Sequence, residues 1–178
     1  MWKPQWCTRE VKRSHSGGNL LQCARFCLLV LLAVSMLQHS CVTSYRVSGN
    51  SMVPSFLDGD RVVVAKMPEF LGDPQRGDTV IVRVRGEILI KRVVAIPGDV
   101  IEIGGGRVID NGEVIEDPVP PAYRACDDMR PLVLDRDEYF LLGDHRRVSI
   151  DSRDFGPVHR SDIIGRVILR VPRDENDR

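Results

Sequence analysis

From Tyr45 onward, apolar and polar residues alternate with a period of two, and this pattern restricts the fold more than any other feature. A period of two sends alternate side chains to opposite faces of a β-strand, whereas an amphipathic helix needs a period near 3.6. Asp110-Asn111-Gly112 is a strong hairpin turn. We predict strands at 60–66, 79–85, 87–96, 100–103, 107–109, 113–115, 138–142 and 163–171. Many short strands without a long helix favour an all-β barrel or sandwich.

The N-terminal part of the chain differs from the rest. Residues 1–19 are polar and basic, and residues 20–43 are largely apolar. A membrane span needs about 20 predominantly apolar residues. We therefore predict a basic cytoplasmic tail (1–19), a transmembrane signal anchor (20–43), a β domain outside the membrane (44–172) and a charged C-terminal tail (173–178). A cleaved signal peptide and a buried helix of a soluble protein are the alternatives.

The basic flank before the apolar segment predicts the orientation, with the N-terminus in the cytoplasm and the β domain outside. The chain as a whole has 25 basic and 25 acidic side chains, which argues against a protein that holds nucleic acid through bulk charge. Cys126 is the only cysteine of the predicted β domain, and the others lie at 7, 23, 27 and 41. We predict no disulfide framework, no metal site and no cofactor.

A serine lies between turn-forming residues in Ser48-Gly49-Asn50-Ser51-Met52-Val53-Pro54. Gly49 permits backbone angles that other residues avoid, and Pro54 stops a helix from continuing through the segment. We therefore predict that Ser51 lies at a strand end or in a tight turn, with its hydroxyl directed outward. Taken alone, a serine in this setting is a turn residue.

A lysine interrupts the apolar strand Ile88–Val94. On a strand, Leu89, Lys91 and Val93 share one face, so the pattern predicts a buried Lys91 and an Arg92 that points elsewhere. Burial lowers the pKa of a lysine because it disfavours the ammonium form, and a neutral amine can remove the proton from a serine hydroxyl. A lysine that extends to solvent at a strand edge is the alternative.

The third polar stretch, residues 143–156, contains many groups that form hydrogen bonds and ion pairs. Such a loop after the strand 138–142 is either a surface salt-bridge cluster or a support for an active site. His145 and His159 also permit a Ser-His-Asp arrangement with Asp144 or Asp151. Nothing in the sequence places either imidazole near Ser51, so Lys91 is the better candidate base.

Together these stretches resemble the type I signal peptidases, a family of serine-lysine proteases that removes secretory leader peptides. The resemblance extends from Tyr45 to about Val171. The motifs that carry it occur in the family's order: Ser-Met-x-Pro at 51–54, Gly59-Asp60, Arg76-Gly77-Asp78, Lys91 to Val94, Pro97-Gly98-Asp99, and Gly-Asp-x-Arg-x-x-Ser-x-Asp-Ser-Arg-x-x-Gly at 143–156. The resemblance implies Ser51 as nucleophile and Lys91 as general base.

The resemblance also implies supporting roles. Ser149 would orient the Lys91 amine, and the bracing ion pairs would come from Asp144, Arg92, Asp151 and Arg153. The implied fold is mostly β, a β-barrel-like assembly of antiparallel sheets that rests on the membrane surface. Gly49 departs from those members that have a serine there to help hold the oxyanion, and His145 stands where asparagine is commoner.

The predicted function is that of a membrane-bound serine endopeptidase that cleaves signal peptides from exported preproteins. The family's substrates have small residues at the first and third positions before the cut and bind as an added strand between segments 45–50 and 88–91. We expect preprotein signal peptides and the lipid surface as partners, without nucleic acid or an obligate protein partner. The alternatives are another serine-lysine protease, such as a self-cleaving repressor, and a non-catalytic membrane-tethered β-domain that binds exported chains.

Overall fold

The computed structural model describes residues 22–31, 41–66 and 72–173. The chain divides into two units, Met1–His39 and Ser40–Arg178. In the first unit the described residues form a helix, α1 (22–31). Within the described ranges, no helix has both the length and the apolar character that a membrane crossing requires. The predicted cytoplasmic tail, residues 20–21 and 32–40 of the predicted anchor, and residues 174–178 of the charged C-terminal tail lie outside the described residues.

The second unit consists of short strands, as the two-residue period predicts. Each predicted strand is present, with ends that differ by no more than one residue from the prediction. The described strands are β1 (Val42–Arg46), β2 (Arg61–Lys66), β3 (Thr79–Val84), β4 (Glu87–Ala95), β5 (Val100–Gly104), β6 (Arg107–Asp110), β7 (Glu113–Val114), β8 (Met129–Val133), β9 (Glu138–Leu142), β10 (Val158–His159) and β11 (Ile163–Val171). A single helical turn, α2 (Ser152–Phe155), follows the polar loop.

The strands form two antiparallel sheets. The larger has seven strands in the order β1-β2-β11-β3-β4-β9-β10, and the smaller has four in the order β7-β6-β5-β8. Each order has two ends, so both sheets are open among the described residues. The prediction of antiparallel sheets is confirmed, and the barrel-like closure is not, because no pairing joins β1 to β10 or β7 to β8.

The hairpin between β6 and β7 has the predicted turn. Asp110 pairs with Glu113, which leaves Asn111 and Gly112 as the two turn residues. Both have positive φ, +51° and +84°, as the tight hairpin turns that match the twist of the strands require.

Strand β4 is central to the packing and positions the candidate lysine. Val93 contributes to a cluster with β3 and β9, and Ile90 packs against a cluster built on β2. Val94 and Ala95 join the cluster that connects the two sheets. Because clusters lie on both faces of β4, a side chain in the middle of this strand has little access to water.

The pattern missed three strands: β1, β8 and β10. β1 begins at Val42, so the last two residues of the predicted anchor, Val42 and Thr43, belong to a strand that pairs with β2. β8 contains Pro131, and β10 has only two residues.

Candidate active site

Ser51 lies in a tight turn after β1, where the sequence predicts it. Gly49 has a φ of +87°, which glycine adopts without steric penalty, and its N–H donates to Asp58 Oδ1 at 2.8 Å. Met52, on the other side of Ser51, is fully buried in the core. The turn is thus fixed on both sides of Ser51, which itself remains partly exposed.

Lys91 is buried on β4, with 2% of its surface exposed, so it does not extend to solvent. Its Nζ donates a hydrogen bond to Ser149 Oγ at 3.2 Å. No carboxylate of the described residues forms an ion pair with it. Burial lowers the pKa of Lys91, and the nearby carboxylate of Asp151 opposes this only in part, while Arg153 lowers the pKa further. The amine therefore loses its proton more readily than that of a free lysine.

Ser51 and Lys91 line the same cavity, which has a volume of about 110 Å³. Its remaining walls come from the segment before Ser51, from β4 and from two core positions: Tyr45, Arg46, Val47, Ser48, Ile88, Leu89, Ile90, Val62 and Ile81. Within the described structure no hydrogen bond joins Ser51 to Lys91. Hydrogen bonds between a nucleophile and its base are often long until a substrate is bound, so the shared cavity is the relevant relation.

Arg92 and Asp144 form a bidentate ion pair. Arg92 Nη2 lies 2.6 Å from Asp144 Oδ2, and Nε donates to Oδ1 at 2.8 Å. The Asp144 side chain is fully buried, and Arg92 Nη1 also donates to the Gly77 carbonyl. Arg92 thus lies on the face of β4 opposite Lys91, as the strand alternation predicts, and fixes the start of the polar loop.

Asp151 and Arg153 form a second ion pair at the other end of the loop. Arg153 Nε lies 2.8 Å from Asp151 Oδ1, and Asp151 is fully buried. Asp151 Oδ2 also accepts a hydrogen bond from the Gly143 N–H at 3.0 Å, which closes the loop on itself. Asp151 and Asp154 form a capping box at the start of α2. All the residues that the resemblance named as supports therefore lie in contact with this loop.

Two contacts that sequence reasoning missed connect the loop to the Ser51 turn. The His145 backbone N–H donates to the Ser51 carbonyl at 2.9 Å. A Cβ at Gly143 would lie 2.6 Å from that same carbonyl oxygen and would collide with the Ser149 side chain. A glycine directly after a buried strand indicates a close approach of backbone, so the sequence could have predicted this role of Gly143.

Neither histidine is placed as a base for Ser51. The His145 ring packs edge-on against Tyr123, with 5.1 Å between ring centroids, and its Nδ1 is buried without a partner among the described residues. His159 is exposed on the edge strand β10, where it pairs with Glu138. Within the described structure, neither imidazole forms a hydrogen bond with Ser51, so the geometry gives no support to a Ser-His-Asp arrangement.

Comparison with known proteins agrees with the motifs. The family model described as signal peptidase, peptidase S26, matches residues 20–172. The chain is 32% identical to signal peptidase I of Leptolyngbya laminosa, over 80% of this chain and 74% of that protein. It is 29% identical to signal peptidase I P of Bacillus subtilis subsp. natto, over 86% and 90% respectively. A signal peptidase I structure from Enterococcus faecalis V583 aligns with a TM-score of 0.48 and 26% identity, over 55% of this chain and 98% of that one. The chain belongs to the signal peptidase family, peptidase S26.

Proposed function

We propose that this protein is a signal peptidase I, a membrane-bound serine endopeptidase that removes signal peptides from exported preproteins after small residues. The observation that carries the proposal is the state of Lys91. This lysine is buried, forms no ion pair with a carboxylate of the described residues and shares a cavity with Ser51. Burying a lysine without a partner anion costs free energy. A structural lysine does not need such burial, whereas a general base needs it to remain neutral.

In the proposed reaction the neutral Lys91 amine accepts the proton of Ser51 as Oγ attacks the scissile carbonyl carbon. The lysine then gives this proton to the amine of the departing mature chain, and an ester joins the signal peptide to Ser51. Water, activated by Lys91, hydrolyses the ester and releases the signal peptide. Ser149 is a positioning residue, since its Oγ accepts the hydrogen bond from Lys91 Nζ.

Backbone groups stabilise the oxyanion in this proposal. Gly49 has no side chain to donate, and the Ser51 N–H has no hydrogen-bond partner in the described part of the chain. This N–H is therefore free to donate to the oxyanion. Asn50 adjoins the same turn and is exposed, so we assign it a turn role.

Substrate selection follows from the cavity that Ser51 and Lys91 share. Its volume of about 110 Å³ and its lining by Val62, Ile81 and Ile90 suit small apolar side chains. Segments 45–48 and 88–91 form two of its walls, and an extended signal peptide between them would bind by backbone pairing. Exported chains that end their leader with small residues are the substrates that this space admits.

We further propose that the protein is held at the membrane by an anchor within residues 20–41, which ends before β1, with the catalytic unit on the outer side. An exposed apolar surface on strands β1, β2 and β11 supports a lipid contact. Val42, Leu169 and Val171 lie on the same face of these strands, and each is more than 40% exposed. A register shift between Val167 and Leu169 leaves Ile168 exposed as well. The exposed Arg46 and Arg61 accompany these apolar residues, a combination that suits anionic lipid.

Protease added to intact spheroplasts tests this orientation. Epitopes placed after Tyr45 should be digested while an N-terminal tag is protected, because the basic flank retains the N-terminus inside. Digestion of the N-terminal tag with survival of the later epitopes would show the opposite orientation.

The activity itself is tested by incubating the full-length protein, in detergent or lipid, with a preprotein. We expect cleavage after the small residues that end the leader. Ser51→Ala should abolish it, and Ser44→Ala, a change at an exposed β1 serine, should leave it unchanged. A serine-directed acylating inhibitor should form a 1:1 adduct on Ser51. Full activity of purified Ser51→Ala would end the serine assignment, and absence of both adduct and cleavage would favour a non-catalytic domain that binds exported chains.

A further inference from the structure

A second cavity borders the candidate catalytic pair. It has a volume of about 390 Å³, and Ser51 and Lys91 line it as they line the first cavity. Residues 45–47 form a wall of the first cavity but do not line the second, which is bounded instead by Val148 and Ile150 of the polar loop. The Ser51–Lys91 pair therefore faces two spaces with different walls.

The second cavity continues into a third, of about 220 Å³. The two share Glu87, Leu89 and Ile150, and the third gains further apolar surface from Val84 and Phe155. Together they form one groove, which we call the outer groove. It runs from the proposed nucleophile along the start of β4 toward the turn between β3 and β4.

Two apolar side chains of the outer groove are strongly exposed on a well-held loop. Val148 is 54% exposed and Ile150 is 69% exposed. Ser149 between them is buried and accepts the hydrogen bond from Lys91, and the loop is closed by ion pairs whose carboxylates are buried. The loop thus holds two apolar side chains beside the catalytic pair, and a bound chain would remove their surface from water.

We propose that the outer groove binds the start of the mature chain, and that Leu89, Val148 and Ile150 select an apolar side chain at its first or second residue. This selection rests on the proposed peptidase function. There the leader occupies the first cavity, so a scissile bond held at Ser51 and Lys91 directs the mature chain into the other space that these two residues border. Successive side chains of an extended chain point to opposite sides, so one of the first two faces the groove.

The charges of the outer groove do not favour a charged occupant. They belong to Glu87, Asp154 and Arg85, and all three residues are exposed, so solvent screens them. Asp154 already accepts a hydrogen bond from the Asp151 N–H. Two carboxylates against one guanidinium give an aspartate of the mature chain no net attraction. We therefore expect leucine to be preferred at the selected position and aspartate to bring no gain.

Substrates that share one leader and differ in the first two mature residues test the selection. All of them form the same acyl-enzyme, so differences in kcat/KM arise before the mature chain departs. Relative to alanine at both positions, leucine at one of them should raise kcat/KM of the full-length protein by at least about threefold. Equal values for leucine and alanine at both positions, or an equal gain from aspartate, would overturn the proposal.

Val148→Ser and Ile150→Ser test the side chains responsible. Each should bring the ratio of kcat/KM for leucine to that for alanine toward one. Val114→Ser, at an exposed apolar position of the small sheet, is the matched control and should retain the parental ratio. Circular dichroism checks that each variant is folded.

The same variants distinguish a lipid contact of these side chains. If Val148 and Ile150 contact lipid instead of substrate, both variants should cleave every substrate more slowly in anionic vesicles and keep the parental leucine-to-alanine ratio in detergent. Parental ratios in both variants would overturn the proposal.

The position of the mature chain is tested without cleavage. Ser51→Ala is incubated with a preprotein that carries a diazirine analogue of leucine at the first or second mature residue. On illumination we expect cross-links to residues 148–150 or 87–89 from one of these positions. Cross-links from the mature chain to residues 45–47, or to residues 148–150 from the penultimate residue of the leader alone, would overturn the proposal.

These outcomes are distinguishable from failure of the proposed function. If the parent protein cleaves no preprotein, the function fails, while the cross-links still test the groove because they require only binding. If the parent cleaves and the mature chain cross-links outside the outer groove, the function holds and the assignment of the groove fails.

Discussion

The seven-stranded and four-stranded sheets both bury a titratable group, but only one of them leaves it without an opposite charge. In the smaller sheet Asp110 is 6% exposed and lies 2.6 Å from Arg76, which also pairs with Asp99. In the larger sheet Lys91 is buried to a similar degree, and among the described residues its amine donates a hydrogen bond to the neutral Ser149 hydroxyl and forms no ion pair.

The comparison distinguishes ion pairs with a structural role, those of Arg76, from a lysine with a proposed catalytic role. The Arg76 pairs connect the segment before β3 to the small sheet. At Lys91 an adjacent carboxylate would stabilise the ammonium and remove the neutral amine that the proposed reaction needs. Two carboxylates that act on Lys91, those of Asp144 and Asp151, form their ion pairs with Arg92 and Arg153 and not with the lysine.

The largest expected effect is loss of activity in Lys91→Met, which retains the volume of the side chain but removes the amine. We expect preprotein cleavage to fall by at least about 10⁴-fold, because Lys91 is the candidate base among the described residues that line the cavity with Ser51. Lys66→Met, at an exposed β2 position, is the matched control and should retain full activity. Substantial cleavage by Lys91→Met would exclude Lys91 as the base.

The second prediction compares a buried carboxylate of the smaller sheet, Asp110, with one in the loop that follows β9, Asp144. Asp144→Asn removes the fully buried counter-charge of the partly buried Arg92 and should lower the free energy of unfolding by about 3 kcal/mol. Asp110→Asn should be at least as stable as the parent at neutral pH. Burial, with the neighbouring Asp99, raises the pKa of Asp110, so its ionised form is less favourable in the folded chain than in the unfolded one.

This penalty at Asp110 is present above the raised folded pKa and disappears as the pH falls below the unfolded value of about 3.9. The advantage of Asp110→Asn should therefore vanish in acid. Denaturant unfolding of both variants and the parent from neutral pH down to about pH 3, below the unfolded pKa, measures these effects. Equal losses of stability at the two sites would mean that the sheets do not differ as described.

The third prediction compares two glycines. Gly143→Ala places a methyl group against the Ser149 side chain and the Ser51 carbonyl, so the Ser51 turn and the loop must separate. A displacement of about 1 Å at an active site can cost about 10²-fold in rate, which is the loss we expect. Gly104→Ala in the small sheet meets only Ile109 Cδ1, at an ordinary 3.5 Å, and serves as the control. A Gly143→Ala enzyme with parental kcat would show that the close approach is unimportant.

The fourth prediction concerns the stability of Lys91→Met. The lowered pKa means that the unfolded chain binds the Lys91 proton more tightly than the folded one, and each unit of difference is worth about 1.4 kcal/mol. The penalty is constant below the folded pKa, shrinks as the pH rises, and is absent above the unfolded value of roughly 10.4. Lys91→Met should thus be at least as stable as the parent at neutral pH, with an advantage that declines toward pH 10. Denaturant midpoints across this range measure it, and a clearly less stable variant at neutral pH would contradict burial without a counter-charge.

The smallest expected effect is that of Asn50→Ala. If the Ser51 N–H is the main oxyanion donor, loss of the Asn50 amide should reduce kcat by less than tenfold. Loss of a true oxyanion donor typically costs about 10²–10³-fold. Circular dichroism checks that folding is unchanged, and a hundredfold loss in a folded variant would place Asn50 in the oxyanion hole.

The sequence by itself determined most of the strands and the hairpin turn, and it predicted the burial of Lys91 while leaving a solvent-extended lysine as the alternative. These features depend on local rules: alternation along a strand, the backbone freedom of glycine and the apolar neighbours of one lysine. The order of motifs identified the family for the same reason, since each motif is a short contiguous pattern. Strand β8 escaped these rules because Pro131 argues against a strand, and it is tolerated there only at a register shift in the edge strand of the small sheet.

Only the tertiary structure decided which of these residues meet. The Lys91–Ser149 hydrogen bond joins positions 58 residues apart, and Arg146 pairs with Asp117 from a separate loop. The openness of both sheets and the close contact of Gly143 with the Ser51 turn likewise depend on how strands pair and pack. Alternation shows which face of a strand is buried, but the partner across that face comes from distant parts of the chain, which no local pattern records.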